Sequence, residues 1–447
     1  MASCLLESSF YPSVKRTLFV CFLTFLYVLL MSVLIHFVFL PMIPSIHAGD
    51  GLLLGSDSHR FHFMAVSMAE DMKLYGLGSF ELRPRGQAPV GVAAFLYWFF
   101  DIYKPFVVLP LNAFLYSVSS ACIYYLLCSI MSSRIALISM LPFVLFPGAM
   151  SIYSQLHKDV FSIASVCMLA LSLSIVVSSK ALGLKRYLFS LFLFILSGGL
   201  LYLVRPYLIK VAFCGLLLSF FVVFFVFFRH VRFRRKRYKH VVLLSLLLIA
   251  FGLWDFVPVK SSKGLSFSEG VSVSVAHKGN TSLSDKVLRK IERVRRGFSN
   301  YKHAGSNIDT DIHFEHWSDL LGYLPRAFVV GFTSPFPNMW FEEGRSPGGS
   351  LKRLISGFEM IYVYLSLIGV VLLFFCPAPN KEIFFACFAF SVTIIIVYTL
   401  VVTNVGALYR FRFGALSLVS CFGLWGWCMF ARLIGNRSIV KPFYENV

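Results

Sequence analysis

"LFVCFLTFLYVLLMSVLIHFVFL", residues 18–40, contains no Asp, Glu, Lys or Arg and a single histidine, His36. A helix rises 1.5 Å per residue, so about 20 apolar residues cross the roughly 30 Å hydrocarbon layer. In lipid the backbone must satisfy its own N–H and C=O groups, and a single segment does so only as a helix. This stretch is long for a signal-peptide core and lacks a small-residue cleavage pattern, which predicts a retained signal anchor.

The same test applied outward predicts ten spans: 18–40, 106–131, 135–152, 160–179, 187–204, 207–228, 241–257, 357–376, 382–402 and 413–431. Of the 447 residues, 58% are hydrophobic, too many for a soluble domain to hide. The expected fold is an all-α polytopic membrane protein, a single integral membrane domain over residues 1–447. Lys15 and Arg16 before the first span place the N-terminus inside. The inner loops then hold Arg134, Lys180, Lys185, Arg186, Lys381, Arg432, Arg437 and Lys441, and the C-terminus is inside. All acidic residues except Glu7, Glu382 and Glu445 fall outside.

The net charge of +20 does not point to nucleic acid. Its densest run, "RHVRFRRKRYKH" (229–240), lies between two spans as a cytoplasmic loop would, with anionic headgroups within reach. The ten cysteines sit in or beside apolar segments apart from Cys4, so neither a disulfide framework nor a CxxC metal pattern is expected.

Two outer segments are large, 41–105 and 258–356. In the first, Phe61, Met64, Ala65, Met68 and Met72 recur at helical spacing, predicting an interfacial helix over 57–76. "APVGVAAFLYWFF" (88–100) is too short to span and is expected to dip in or lie flat. In the second, "SLSDKVLRKIERVRRGF" (282–298) predicts another interfacial helix, with Ser284 as N-cap and an apolar stripe of Val287, Ile291 and Val294. The remaining outer turns, 153–159, 204–206 and 403–412, are short.

Five polar clusters fall on the outer side: Asp50, Asp57, His59 and Arg60; Arg83 and Arg85; His157, Lys158 and Asp159; Arg205; Arg410 and Arg412. A charge in hydrocarbon costs at least about 2.5–3.5 kcal/mol, so arginines at helix mouths avoid that cost while facing a shared vestibule. Arginine forks match phosphate oxygens and stay charged, and a nearby carboxylate can take a proton from an attacking hydroxyl. This is the chemistry of sugar transfer from a polyprenyl phosphate or diphosphate. Plainer readings stand beside it. "GDG" around Asp50 is good turn chemistry. His59 and His62 can be packing residues, Lys158 and Asp159 a local ion pair, and Arg205 a snorkelling side chain. Arg410 and Arg412 run against the positive-inside rule, which weakens that reading for them.

"SDSHRFHFMAVSMA" (56–69), "LRPRGQAPVGVAAFLYWFF" (82–100), "QLHKDVFSIA" (155–164), "YLVRPYL" (202–208), "YLPRAFVVGFTSPFPNMW" (323–340) and "TNVGALYRFRFGAL" (403–416) together resemble the GT-C class of polytopic glycosyltransferases. That class includes protein O-mannosyltransferases, lipid A aminoarabinose transferases and bacterial polysaccharide-assembly proteins. The resemblance implies a GT-C-like fold and inverting glycosyl transfer at the outer face of a bacterial inner membrane. It makes Asp57 the catalytic base, with Asp50 as the fallback. Arg205, Arg410 and Arg412 would hold the donor's phosphate, assisted by Lys158 or Arg85. His59, Arg60, Arg83, His157 and Asp159 are further candidates. The partners are then a polyprenyl-phosphate-linked sugar, a glycan or lipid-linked acceptor and the bilayer. Some members use a divalent metal, but no compact ligand spacing is present here, so no metal or other cofactor is expected. The competing functions are an O-antigen-type repeat-unit polymerase, a lipid-linked sugar flippase or transporter, and a non-catalytic assembly partner.

Overall fold

The structure is a computed structural model that describes residues 13–178, 183–229, 282–300, 305–344 and 348–434. The expected span 241–257, the basic run from residue 230 onward, Lys180, Arg437, Lys441 and Cys4 lie outside them. Every regular element among the described residues is a helix. Eight helices are long and apolar enough to cross a bilayer, and a bent pair makes a ninth crossing if counted as one. The chain is an all-α, multi-pass membrane protein.

In chain order, α1 (Val14–Leu34) continues as a wider turn to Phe39, and α2 (Asp57–Tyr75) and α3 (Ala88–Phe100) follow. Next come α4 (Leu109–Cys128), α5 (Ser133–Leu145), α6 (Pro147–Tyr153), α7 (Asp159–Val177), α8 (Leu184–Val204) and α9 (Pro206–Arg229). The remainder are α10 (Leu283–Ser299), α11 (Trp317–Thr333), α12 (Gly349–Phe375), α13 (Lys381–Val401), α14 (Val405–Phe411), α15 (Phe413–Cys421) and α16 (Gly423–Leu433).

Several expectations need correcting. Segment 135–152 is not one helix: α5 and α6 meet at 63°. Pro147 opens the second helix, and a proline disfavours helical geometry in the residue before it, here the extended Phe146. The span expected at 357–376 begins earlier, at Gly349. The turn 403–412 contains a short helix, capped by Asn404, whose side-chain oxygen accepts from Ala407 N at 2.8 Å. In α10 the N-cap position is Ser282 rather than Ser284. Its buried face is Leu288, Glu292 and Arg295, with Ile291 half-buried, while Val287 and Val294 are exposed.

α7 is the hub, buried along its whole length. Beyond Phe161 it carries only aliphatic, sulfur-containing and small residues, so neighbours approach from every side, as small-residue helices allow in membranes. Ser165 Oγ donates locally to Phe161 O at 2.8 Å and Ser174 Oγ to Leu171 O at 2.8 Å, while Ser172 Oγ donates across to Ser190 O on α8 at 3.0 Å. By contrast, α1 leaves Phe19, Phe22, Leu26 and Leu30 exposed, which suits a lipid-facing helix.

The turns sort into two ends. At one, Asn380 Nδ2 donates to Ser129 O at 3.0 Å, joining the α4–α5 and α12–α13 turns. At the other, here the site end, Gln155 stitches the α6–α7 turn to the α1–α2 segment: it accepts from Leu53 N at 3.0 Å and donates to Gly51 O at 3.0 Å. Gly51 has φ +71°, and a side chain there would strike the His36 ring. α2 and α3 form a hairpin at this end, with Phe61, Ala65 and Ala69 against Val90, Ala94 and Tyr97.

α12 and α16 cross closely through Gly369, Gly423 and Gly426, where an added methyl on Gly426 would collide with the Gly369 carbonyl. Gly426→Ala is expected to cost about 1–3 kcal/mol as overpacking, seen as a lower melting midpoint in detergent. An unchanged midpoint would contradict the close crossing.

Candidate functional site

α7 begins at the site end with a carboxylate. Asp159 is 5% exposed and pairs with the Arg205 guanidinium, itself 5% exposed. Arg205 lies at the break between α8 and α9, which Pro206 imposes. It also donates to the Tyr398 hydroxyl at 3.1 Å and stacks 4.3 Å from the Phe411 ring centre. It is thus a buried, paired group and not a snorkelling one. Lys158 and Asp159 are neighbours, but the acid is committed to arginines from other helices.

Above this buried pair sits a more open layer. Arg410, on α14, lies 3.9 Å from Asp159 and 3.9 Å from Asp57. Its side chain is 30% exposed and that of Asp57 is 64% exposed. Asp57 is the first residue of α2, just after the N-cap Ser56, whose hydroxyl accepts from Ser58 N. A negative group is favoured there by the helix dipole. Four segments distant in sequence therefore meet: the start of α2, the start of α7, the α8–α9 break and α14.

The α6–α7 turn completes the cluster. His157 is buried, with Nε2 3.3 Å from Ser58 Oγ. Burial, followed by the Arg410 charge, lowers its pKa to about 4, so the ring is neutral near pH 7. Burial, then the charge of Arg205, brings the Lys158 ammonium down to about 8, against opposing pulls from Asp57 and Asp159. Arg83 also acts on Lys158. Its Nε is buried without a hydrogen-bond partner among the described residues, and its guanidinium lies 5.8 Å from the Tyr202 ring centre. Arg205, Arg410, Lys158 and Arg83 thus stand against Asp57 and Asp159, leaving cations in excess.

Other sequence candidates stand apart. Asp50 sits in a left-handed turn (φ +50°) and pairs with Lys104 at 2.7 Å. Arg412 is fully buried and spends its guanidinium on the carbonyls of Val330 (2.9 Å), Gly331 and Ser334. It fastens α11 to the start of α15 and is not presented to a ligand. Arg85 is exposed in a left-handed conformation (φ +48°), and Arg60 is exposed on α2. His59 packs edge-on against Phe63, with ring centres 4.7 Å apart. His62 Nδ1 lies 3.0 Å from the Tyr97 hydroxyl, and burial lowers its pKa.

Two groups escaped the sequence reading. Lys352, in the first turns of α12, is electrostatically coupled to Arg410. In sequence it falls within the outer segment 258–356, where no pattern singles it out. Glu359 accepts from Gly148 N at 2.6 Å and from the Tyr409 hydroxyl. It ties α6, which leads to the His157–Asp159 turn, to the residue beside Arg410. An apolar pocket opens beside it, lined among others by Phe146, Tyr362 and Phe413. Its polar groups include Tyr409 and Ser420.

Among the described residues no three His, Cys, Asp or Glu side chains gather as metal ligands. Asp57 and Asp159 face each other across Arg410, whose guanidinium occupies the place a cation would take. The arrangement suits an anion: an outer cation between two carboxylates, with further cations behind. No family model matches the chain, nor does any curated protein or solved structure.

Proposed function

We propose that the protein is a GT-C-like membrane glycosyltransferase that moves a sugar from a polyprenyl phosphate or diphosphate to a glycan or lipid-linked acceptor. In this reading the chain has ten spans with both termini inside, and the site faces the outer side of a bacterial inner membrane. The acceptor hydroxyl attacks the anomeric carbon, and its proton passes to Asp57. The anomeric C–O bond to the phosphate breaks, and the phosphate leaves with the electron pair. Arg410 and Lys158 receive that charge, as guanidinium and ammonium groups do for phosphate. Arg205, committed to Asp159 and Tyr398, acts as a positioning residue and does not itself grip the phosphate.

One observation carries this reading: the exposed carboxylate of Asp57 and the half-exposed guanidinium of Arg410 face one another over a fixed, buried Asp159–Arg205 pair. A base and an anion binder are thereby held side by side on rigid elements.

The test is transfer of labelled sugar from polyprenyl-phosphate donors by the purified protein. A single added sugar supports the transferase, and long ladders indicate a repeat-unit polymerase. Translocation of lipid-linked sugar in proteoliposomes, with Asp57→Asn fully active, would replace the proposal with a flippase. A pH prediction follows from Lys158. A lysine is charged below its pKa, so the site keeps this cation below about pH 8 and loses it above. Donor affinity should weaken as pH rises through 8, and Lys158→Gln should flatten that step. An unchanged step in the variant would remove Lys158 from the phosphate site.

A further inference from the structure

We propose that the exposed face of α10 docks on anionic lipid headgroups in the leaflet at the site end, independently of any catalytic role. The helix has two distinct faces. Inward, Leu288 packs with Phe314, Tyr323 and Leu400. Arg295 is 1% exposed and donates to the carbonyls of Ile312 (3.0 Å), Asp309 (2.6 Å) and Leu400 (3.1 Å). Glu292 also turns inward, accepting from Phe314 N at 2.9 Å and from Arg296 at 2.6 Å.

Outward, Lys286, Arg289, Lys290 and Arg293 are exposed, and none has an ion-pair partner among the described residues. Asp285, in the first turn, is half-buried on the Glu292 side. Four cations with no ion-pair partner among the described residues thus share one face, and exposed Val287 and Val294, seven residues apart, flank it on the Lys290 side.

Depth selects the occupant. Leu400 belongs to the last turn of α13, a membrane span, and Arg295 holds α10 directly against it. α10 therefore lies level with the end of a span, where headgroups are. A basic helix with apolar residues flanking its cations at that level fits an anionic bilayer surface. A soluble acidic polymer would meet the cations but has no use for the valines.

Two measurements test this. Amide exchange of residues 283–299 is compared in nanodiscs of phosphatidylcholine alone and with phosphatidylglycerol; slower exchange with the anionic lipid is expected. Native mass spectrometry then compares wild type with K286Q/R289Q/K290Q/R293Q. The variant should retain at least twofold less phosphatidylglycerol, with phosphatidylcholine and melting midpoint unchanged. Equal exchange in both bilayers overturns the proposal, and so does equal phosphatidylglycerol retention. Loss of binding to a soluble acidic polysaccharide, with lipid retention unchanged, would assign the face to a glycan instead.

Discussion

Asp159→Ala is expected to lower folding stability by about 3–5 kcal/mol, the cost of leaving one member of a buried ion pair without the other. The Asp159 carboxylate heads the fully buried α7 and neutralises Arg205, which also has the Tyr398 hydroxyl and the Phe411 ring beside it. Removing it also leaves Arg410 without its inner anchor. Replacing both partners with apolar residues of similar volume, as in Asp159→Leu with Arg205→Met, should recover most of the loss, because no charge then stays buried unpaired. Transfer activity should remain absent in the double variant, since nothing then orders Arg410 from below. Melting in detergent micelles checks both variants. Equal midpoints for wild type and Asp159→Ala would contradict the buried pair.

Asp57→Asn separates chemistry from architecture. Asparagine keeps the shape and the place at the start of α2 but cannot take the acceptor's proton. Loss of a positioned general base costs about 10²–10⁴-fold in rate. Because the Asp57 side chain is 64% exposed and Ser56 still caps the helix, folding stability should change by no more than the roughly 0.5 kcal/mol typical of surface changes. Turnover of a lipid-linked donor and a melting curve on the same preparation suffice. Full turnover in the variant would remove Asp57 from the base role.

The membrane architecture was legible because apolar length is a local property: the windows around residues 18–40 and 382–402 each contain their own answer. The sorting of charged turns to one end was legible too, since the segments bearing Asp57, Asp159, Arg205 and Arg410 do meet. What local pattern could not give was the partition among neighbouring arginines. Arg410 and Arg412 look alike in sequence, yet one bridges two carboxylates and the other is buried on the carbonyls of α11. Only the packing of α11 against α15 decides that. Likewise the apolar stripe of Val287, Ile291 and Val294 is legible in α10, but it is not what the core holds. The core instead took Leu288 and Arg295, because carbonyls at Asp309, Ile312 and Leu400 await a guanidinium there. Glu359 gave no local signal, as its partners lie far along the chain in α6 and α14.

The most direct test of the central claim uses a polyprenyl phosphate carrying a photoreactive group on its phosphate end. After irradiation with the purified, detergent-solubilised protein, the labelled peptides are mapped by mass spectrometry. Adducts concentrated at residues 57–60, 157–159 and 405–412, and strongly reduced by Arg410→Ala, are the predicted result. Adducts confined to other segments, or unchanged in that variant, would contradict a phosphate-binding site built around Arg410.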